Sequence, residues 1–381
     1  MGGWTTRGLG ADVSVLRFAG DGSFSVQQPT LARRMPARYG HSLTATAAGL
    51  LVFGGHTGGG YTGELNDVWV LRPLEGGASG GNDDSEQELE WHAPPVGPLR
   101  PRARGYHSAA ASPCGRYLYV FGGISGHTST DELAVLDTQT WAWTLPDAAA
   151  PGASRPCGRF GHSATMFEGG MWVLGGGTGG DLLRDGRELR DVWRLDAQAM
   201  QWARMTPENA PPFPGNLSRC HTAVRVGAKL LLYGGGANTC ARVSTLDLRT
   251  LRFAAPRIAA RRAPGARFTH LAARLGGAMV LAFGWCHGDA HARGGCMGDV
   301  WRLQLAPDAE EAAAALEQAP AHERGGGMRP PVDADEEDEE GEDEEYAAEG
   351  EDDDDDAEGG EWEEDDEDDG GGDVVIVPYF A

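Results

Sequence analysis

Arg38-Tyr39-Gly40-His41-Ser42, then Leu50-Leu51-Val52-Phe53-Gly54-Gly55, then Asn66-Asp67-Val68-Trp69-Val70-Leu71: this phrase recurs along the chain, and its reading decides the fold. Its opening returns at Arg104-Gly105-Tyr106-His107, Arg159-Phe160-Gly161-His162, Arg219-Cys220-His221 and Arg267-Phe268-Thr269-His270. The arginines are spaced by 66, 55, 60 and 48 residues. Apolar runs return before Gly122-Gly123, Gly175-Gly176, Gly234-Gly235 and Gly284. Third segments return as Leu136-Asp137, Asp191-Val192-Trp193, Leu246-Asp247 and Asp299-Val300-Trp301.

Each apolar run is short, rich in β-formers and bounded by glycine, which suits a strand buried on both faces. A unit of about this length built from such runs predicts an all-β propeller, here of five to six blades of four-stranded antiparallel sheet. The Gly pairs read as sharp strand ends that need positive φ or a missing Cβ. Trp69, Trp193 and Trp301 read as packing area between blades. The propeller is expected over 12–305, followed by a linker at 306–332, an acidic disordered tail at 333–373 and a possible returning strand at 374–380. Residues 12–18 and 23–26 read as third and fourth strands with no first pair, and unit five stops at its third strand. The segment Val374 to Phe380 either returns to close that open blade or is a loose apolar end.

The Gly-Gly pair after an apolar run, the Asp-Val-Trp strand that follows and the stretch Leu136-Asp137-Thr138-Gln139-Thr140-Trp141-Ala142-Trp143 resemble the kelch-repeat family, notably the propellers of F-box and adaptor proteins. The resemblance covers roughly 12–305. It implies a non-enzymatic protein–protein interaction module, a scaffold or adaptor, whose partner is expected at the interblade loops and the loops joining strands two and three. Similar proteins also serve as substrate receptors of ubiquitin ligases. With no F-box or BTB segment visible, that role would need a further N-terminal domain. Kelch propellers that are enzymes, such as copper radical oxidases and sugar epimerases, supply the competing reading, a site in the central channel.

The formal charge of −25 describes one segment. Residues 333–373 hold 28 of the 57 acids and no Lys or Arg, leaving 29 acids against 32 basic residues, a net +3, in the rest. The acidic run has too little apolar surface to offset ordering entropy. Its plainest role is solubility. A sharper one is binding a basic protein, or covering the chain's own arginines. Direct DNA binding is not expected, because the run repels phosphates. Six cysteines without a secreted framework, no signal peptide and no long apolar run point to the cytoplasm or nucleus and away from a membrane.

The repeat assigns Arg38, Arg104, Arg159, Arg219 and Arg267 to structure. It does the same for His41, His107, His162, His221 and His270, which a ring would hold too far apart to share one ion. Arginines outside the pattern, Arg33, Arg34, Arg100, Arg102, Arg261 and Arg262, are the candidate contacts for an acidic or phosphorylated partner, where guanidinium offers paired donors. Cys286, His287, His291 and Cys296 are ligand types zinc accepts. Their spacing matches no standard finger, and a Cys286–Cys296 disulfide or a plain loop is simpler. No cofactor fingerprint and no catalytic triad is read. Gly175-Gly176-Gly177 and Gly234-Gly235-Gly236 lack the Lys-Ser/Thr that a phosphate loop needs, so they read as blade turns.

Overall fold

The computed structural model describes residues 3–5, 8–18, 24–58, 63–74, 88–146, 154–179, 186–208, 218–236, 243–255, 264–276, 278–286, 295–304 and 374–376. Expectations placed on Arg261, Arg262, His287, His291, 306–332, 333–373 and 377–380 lie outside them. The chain divides into two units, Met1–Gln304 with Asp369–Ala381, and Leu305–Asp368. The described residues belong to the first, a kelch-type β-propeller of antiparallel sheets with no helix among them.

Blades one to four each contain four strands in chain order. Blade one is Ser42–Thr46, Gly49–His56, Glu64–Pro73 and Leu89–His92. Blade two is Ser108–Ala111, Tyr117–Phe121, Leu133–Asp137 and Ala142–Thr144. Blade three is Ser163–Phe167, Gly170–Leu174, Val192–Asp196 and Gln201–Met205. Blade four is Thr222–Val226, Lys229–Tyr233, Ser244–Asp247 and Arg252–Ala254. Blade five has three described strands, Leu271–Leu275, Ala278–Ala282 and Val300–Gln304. A last sheet joins the two ends of the chain: Val374–Ile376 pairs antiparallel with Val15–Phe18, which pairs with Phe24–Gln27.

Apolar cores lie between neighbouring blades. Phe53, Val68 and Val70 of blade one meet Leu118, Leu136 and Trp143 of blade two. Phe121 and Val135 of blade two meet Val173, Leu195 and Trp202 of blade three, with Phe121 and Trp202 ring centroids 4.9 Å apart. The fourth-strand aromatic thus packs on the preceding blade. Leu16 and Phe18 of the terminal sheet meet Leu271, Val280 and Ala282 of blade five. Third strands end in Asp137, Asp196 and Asp247, whose carboxylates accept backbone N–H bonds from Gln139, Gln198 and Arg249 at 2.9 Å. That local capture turns the chain into the fourth strand.

The Gly pairs owe their identity to the next blade. Gly54, Gly122 and Gly234 have φ of 66°, 68° and 68°, and the chain at Arg104, Arg159 and Arg267 passes directly over them. A Cβ on Gly54 or on Gly122 would stand 2.6 Å from the Arg104 or Arg159 carbonyl oxygen. The second glycines, Gly55, Gly123 and Gly235, donate their N–H to those same arginine carbonyls at 2.8, 2.7 and 3.0 Å. In blade five Phe283 stands in the first-glycine place with φ 60°. Among the described residues no repeat arginine of a following blade passes over it, and a side chain stands there.

Candidate functional site

The repeat arginines are buried, and all but Arg219 are bound within their own blades. Arg38 donates to both carboxylate oxygens of Asp67 at 2.6 and 2.9 Å and to the Gly54 carbonyl at 3.0 Å, while the Trp69 indole donates to Asp67 at 2.7 Å. Arg159–Asp191–Trp193 and Arg267–Asp299–Trp301 repeat the arrangement. Burial works to raise the Asp67 and Asp191 carboxyls. The bonds and charge of Arg38 and Arg159, with the indoles, outweigh it and hold both below the usual carboxylate range. In blade two Glu132 takes the place of the aspartate against Arg104. Arg219 departs from the pattern, donating through Nε at 2.7 Å to Glu188, which belongs to blade three.

The repeat histidines line one cavity of about 200 Å³, with Gly40, Tyr106, Gly161, Cys220, Thr222 and Thr269. Two open rings of hydrogen bonds, each of four links from blade one to blade five, run around it. In the first, Tyr106 N–H donates to the Gly40 carbonyl, Gly161 to Tyr106, Cys220 to Gly161 and Thr269 to Cys220, at 2.7, 2.9, 2.7 and 3.2 Å. All five residues precede a repeat histidine and have φ between 51° and 64°. In the second ring, Nε2 of His107, His162, His221 and His270 lies 2.7–2.9 Å from the hydroxyls of Ser42, Ser108, Ser163 and Thr222, each on the preceding blade. Burial lowers all five imidazoles, His107 and His270 to about 3, His221 to about 4, and His41 and His162 well below the ordinary value. They are neutral at physiological pH. The Cys220 thiol is pushed up to about 12 by burial, so it carries no thiolate.

Among the described residues, no three His, Cys, Asp or Glu side chains gather closely enough to hold a metal ion. In the candidate zinc loop, Trp285 pairs with Cys296 and Cys286 with Gly295. Sequence reasoning missed a stack of Tyr39, His56 and Tyr106 beside the cavity, with His56 5.2 and 5.7 Å from the two tyrosine rings. It explains why Gly105 has no side chain, since a Cβ there would run into the His56 ring. The signal was present in the tyrosines of the repeat openings, but His56 lies outside the repeat.

Of the unpatterned arginines, the described Arg33, Arg34, Arg100 and Arg102 do not line the cavity. The linkers to blades one and two first run along the outer edge of the blade they lead to. Leu89 and Trp91 of blade one donate to the carbonyls of Thr30 and Arg33, and Gly97 donates to Trp141 of blade two. Arg33 and Arg34 therefore stand on the outer rim of blade one, Arg33 over the Trp69 ring at 5.4 Å and Arg34 paired with Asp12 at 3.0 Å. Arg100 is exposed in the next linker, and exposed Arg102 lies 3.8 Å from Glu132.

The inward Gly pairs, the Arg–Asp–Trp clusters and the circular arrangement of the sheets define a kelch propeller. The KLHDC2/KLHL20/DRC7 Kelch-repeats domain matches residues 1–235 and 84–284, and the chain belongs to the kelch-repeat family. It is 30% identical over 143 residues to Kelch domain-containing protein 3 of Homo sapiens, covering 35% of this chain and 34% of that protein. Kelch domain-containing protein 10 of Rattus norvegicus is 24% identical over 298 residues, 72% of this chain and 64% of the relative. Host cell factor 2 of Homo sapiens is 27% identical over 220 residues, 52% and 24% of the two. The match thus spans about a third of the first relative's length.

Proposed function

We propose that this chain is a non-enzymatic interaction module, a scaffold or adaptor whose exposed linker arginines receive an acidic segment of a partner protein. One observation carries the reading: arginine is divided into two populations. The repeat arginines are consumed by buried ion pairs, whereas Arg33, Arg100 and Arg102 present guanidinium to solvent along blades one and two. The cavity, by contrast, is lined by five neutral imidazoles, four of which face hydroxyls through Nε2, and by a thiol held protonated. Such a set offers architecture rather than a base or nucleophile. A ubiquitin-ligase receptor role is one form such an adaptor takes. The cytoplasm or nucleus is its proposed compartment.

The test is direct binding of a fluorescent Glu-rich peptide and of its phosphoserine counterpart to the full chain. Charge reversal at Arg33, Arg100 and Arg102 should weaken binding at least tenfold at low salt, and 300 mM salt should weaken it in the wild type. Affinity that ignores both changes overturns the rim as the contact.

A further inference from the structure

Four blades show what belongs at the outermost lane of a blade. Their fourth strands place Trp91, Trp143, Trp202 and Phe253 opposite Leu71, Leu136, Leu195 and Leu246, and the four aromatics are 0%, 4%, 9% and 9% exposed. The matching position of the terminal sheet is Val26, opposite Leu16, and it is 53% exposed with Phe24 beside it at 45%. Both face blade five, because Leu16 and Phe18 on the same side of the sheet pack on Leu271, Val280 and Ala282. Blade five has no fourth strand among the described residues, and its third strand shows the consequence. Val300, Trp301 and Leu303 are half-buried, whereas Val192, Trp193 and Leu195 in blade three are buried. A strand edge and an apolar strip thus flank one lane.

We propose that this lane receives an extended strand donated by another protein, carrying a large aromatic residue followed by a carboxylate. The register sets that chemistry. By the pairing of Leu195 with Trp202 and Arg194 with Ala203, an incoming strand would set its aromatic opposite Leu303 and its next residue opposite exposed Arg302. Main-chain bonds to the edge supply affinity and the alternate side chains supply choice. The chain's own continuation lacks the aromatic at the matching distance. Tight turns in blades two to four reach an aromatic six residues past the terminal Asp; here Leu305-Ala306-Pro307-Asp308-Ala309-Glu310 offers a proline without an N–H and a glutamate instead. The chain's later match, Glu361-Trp362-Glu363, stands among 15 acids in residues 351–369, whose mutual repulsion opposes its entry beside Asp299. This inference is independent of the arginine rim.

The probe is a capped, labelled peptide, Thr-Val-Ser-Trp-Glu-Val-Thr, added to the full-length chain, with binding read by anisotropy and backbone protection by hydrogen exchange. Exchange at Val300–Gln304 should slow at least tenfold. Replacing the peptide's Trp by Ala, or Val26→Asp in the protein, should each weaken binding at least tenfold; Val26 is exposed, so its replacement leaves the core intact. Binding without protection of Val300–Gln304, or indifferent to both changes, overturns the proposal. It is equally overturned if that strand is already protected in the free chain and Trp362→Ala is needed before the peptide binds, which would assign the lane to the chain itself. A dimer that Val26→Asp dissociates, with no peptide binding, would assign it to a second copy.

Discussion

Lowering the pH from 7.5 to 5.0 should unfold this propeller through its histidines, well before its carboxylates titrate. An imidazole with a folded pKa below its unfolded value of 6.5 contributes stability that is complete above 6.5 and is lost as pH falls toward the folded value. For His107, His221 and His270 the folded values are about 3, 4 and 3. At pH 5 each takes up close to one proton on unfolding, which costs the folded state about 2 kcal/mol per histidine, or roughly 6 kcal/mol for the three. His41 and His162 act in the same direction. That total is comparable to the whole stability of an ordinary domain, about 5–15 kcal/mol. The depressed carboxyls of Asp67 and Asp191 lose their contribution only below the ordinary carboxylate range, so the window from 6.5 to 5 belongs to the imidazoles. Urea midpoints read by tryptophan fluorescence on the full chain should fall steeply across that window. His107→Gln should remove about 1.4 kcal/mol per pH unit from the slope, whatever it does to stability at pH 7.5. A midpoint that stays level between pH 7 and 5 would refute the account of a buried, neutral histidine ring.

Asp191→Ala leaves the buried Arg159 without its carboxylate and the Trp193 indole without its acceptor; urea denaturation should show a loss of about 3–5 kcal/mol. Trp202→Ala empties the contact with Phe121 between blades two and three and should cost about 3–5 kcal/mol by the same assay, with little change at the exposed Arg33 and Arg100 rim. Gly176→Ala, at φ 91° with a Cβ placed 2.7 Å from the Phe160 carbonyl, should cost more than about 1 kcal/mol, whereas Gly227→Ala, which meets no neighbour, should cost only the backbone strain of its φ of 59°.

The repeat made the blades legible because its signals are local: an apolar run, a glycine pair, an Asp-Val-Trp. Relations between distant segments were harder to read. Arg38 and Asp67 both stand in the quoted phrase, yet their pairing depends on the chain folding back across 29 residues. The glycine pairs read as sharp strand ends, but what excludes a Cβ there is the backbone of the following blade at Arg104 and Arg159. Likewise nothing in the composition of the linkers holding Arg33 and Arg100 shows that they run along a sheet edge first. The unfinished fifth unit was visible in the sequence. Its consequence, exposed Phe24 and Val26 on another sheet, was not.

That unfinished unit also sets where the propeller yields. From blade one to blade five each interface is tied by the backbone ring and, through Nε2, by the histidine–hydroxyl ring. Among the described residues neither ring has a member in the terminal sheet, which begins with no Arg-x-x-His opening. Its junction with blade five rests on Leu16, Phe18, Val280 and Ala282, smaller groups than the Phe–Trp contacts elsewhere. In a circular stack whose stability is largely a sum of neighbour terms, opening begins at the weakest term. A strand seated beside Val300–Gln304 would turn its aromatic, opposite Leu303, toward blade four and its alternate residues, on the side of Val280, toward the terminal sheet, adding area on both sides of blade five. Ligand-induced protection should therefore concentrate in blade five and the two sheets beside it, leaving blades two and three, already tied by both rings, unchanged.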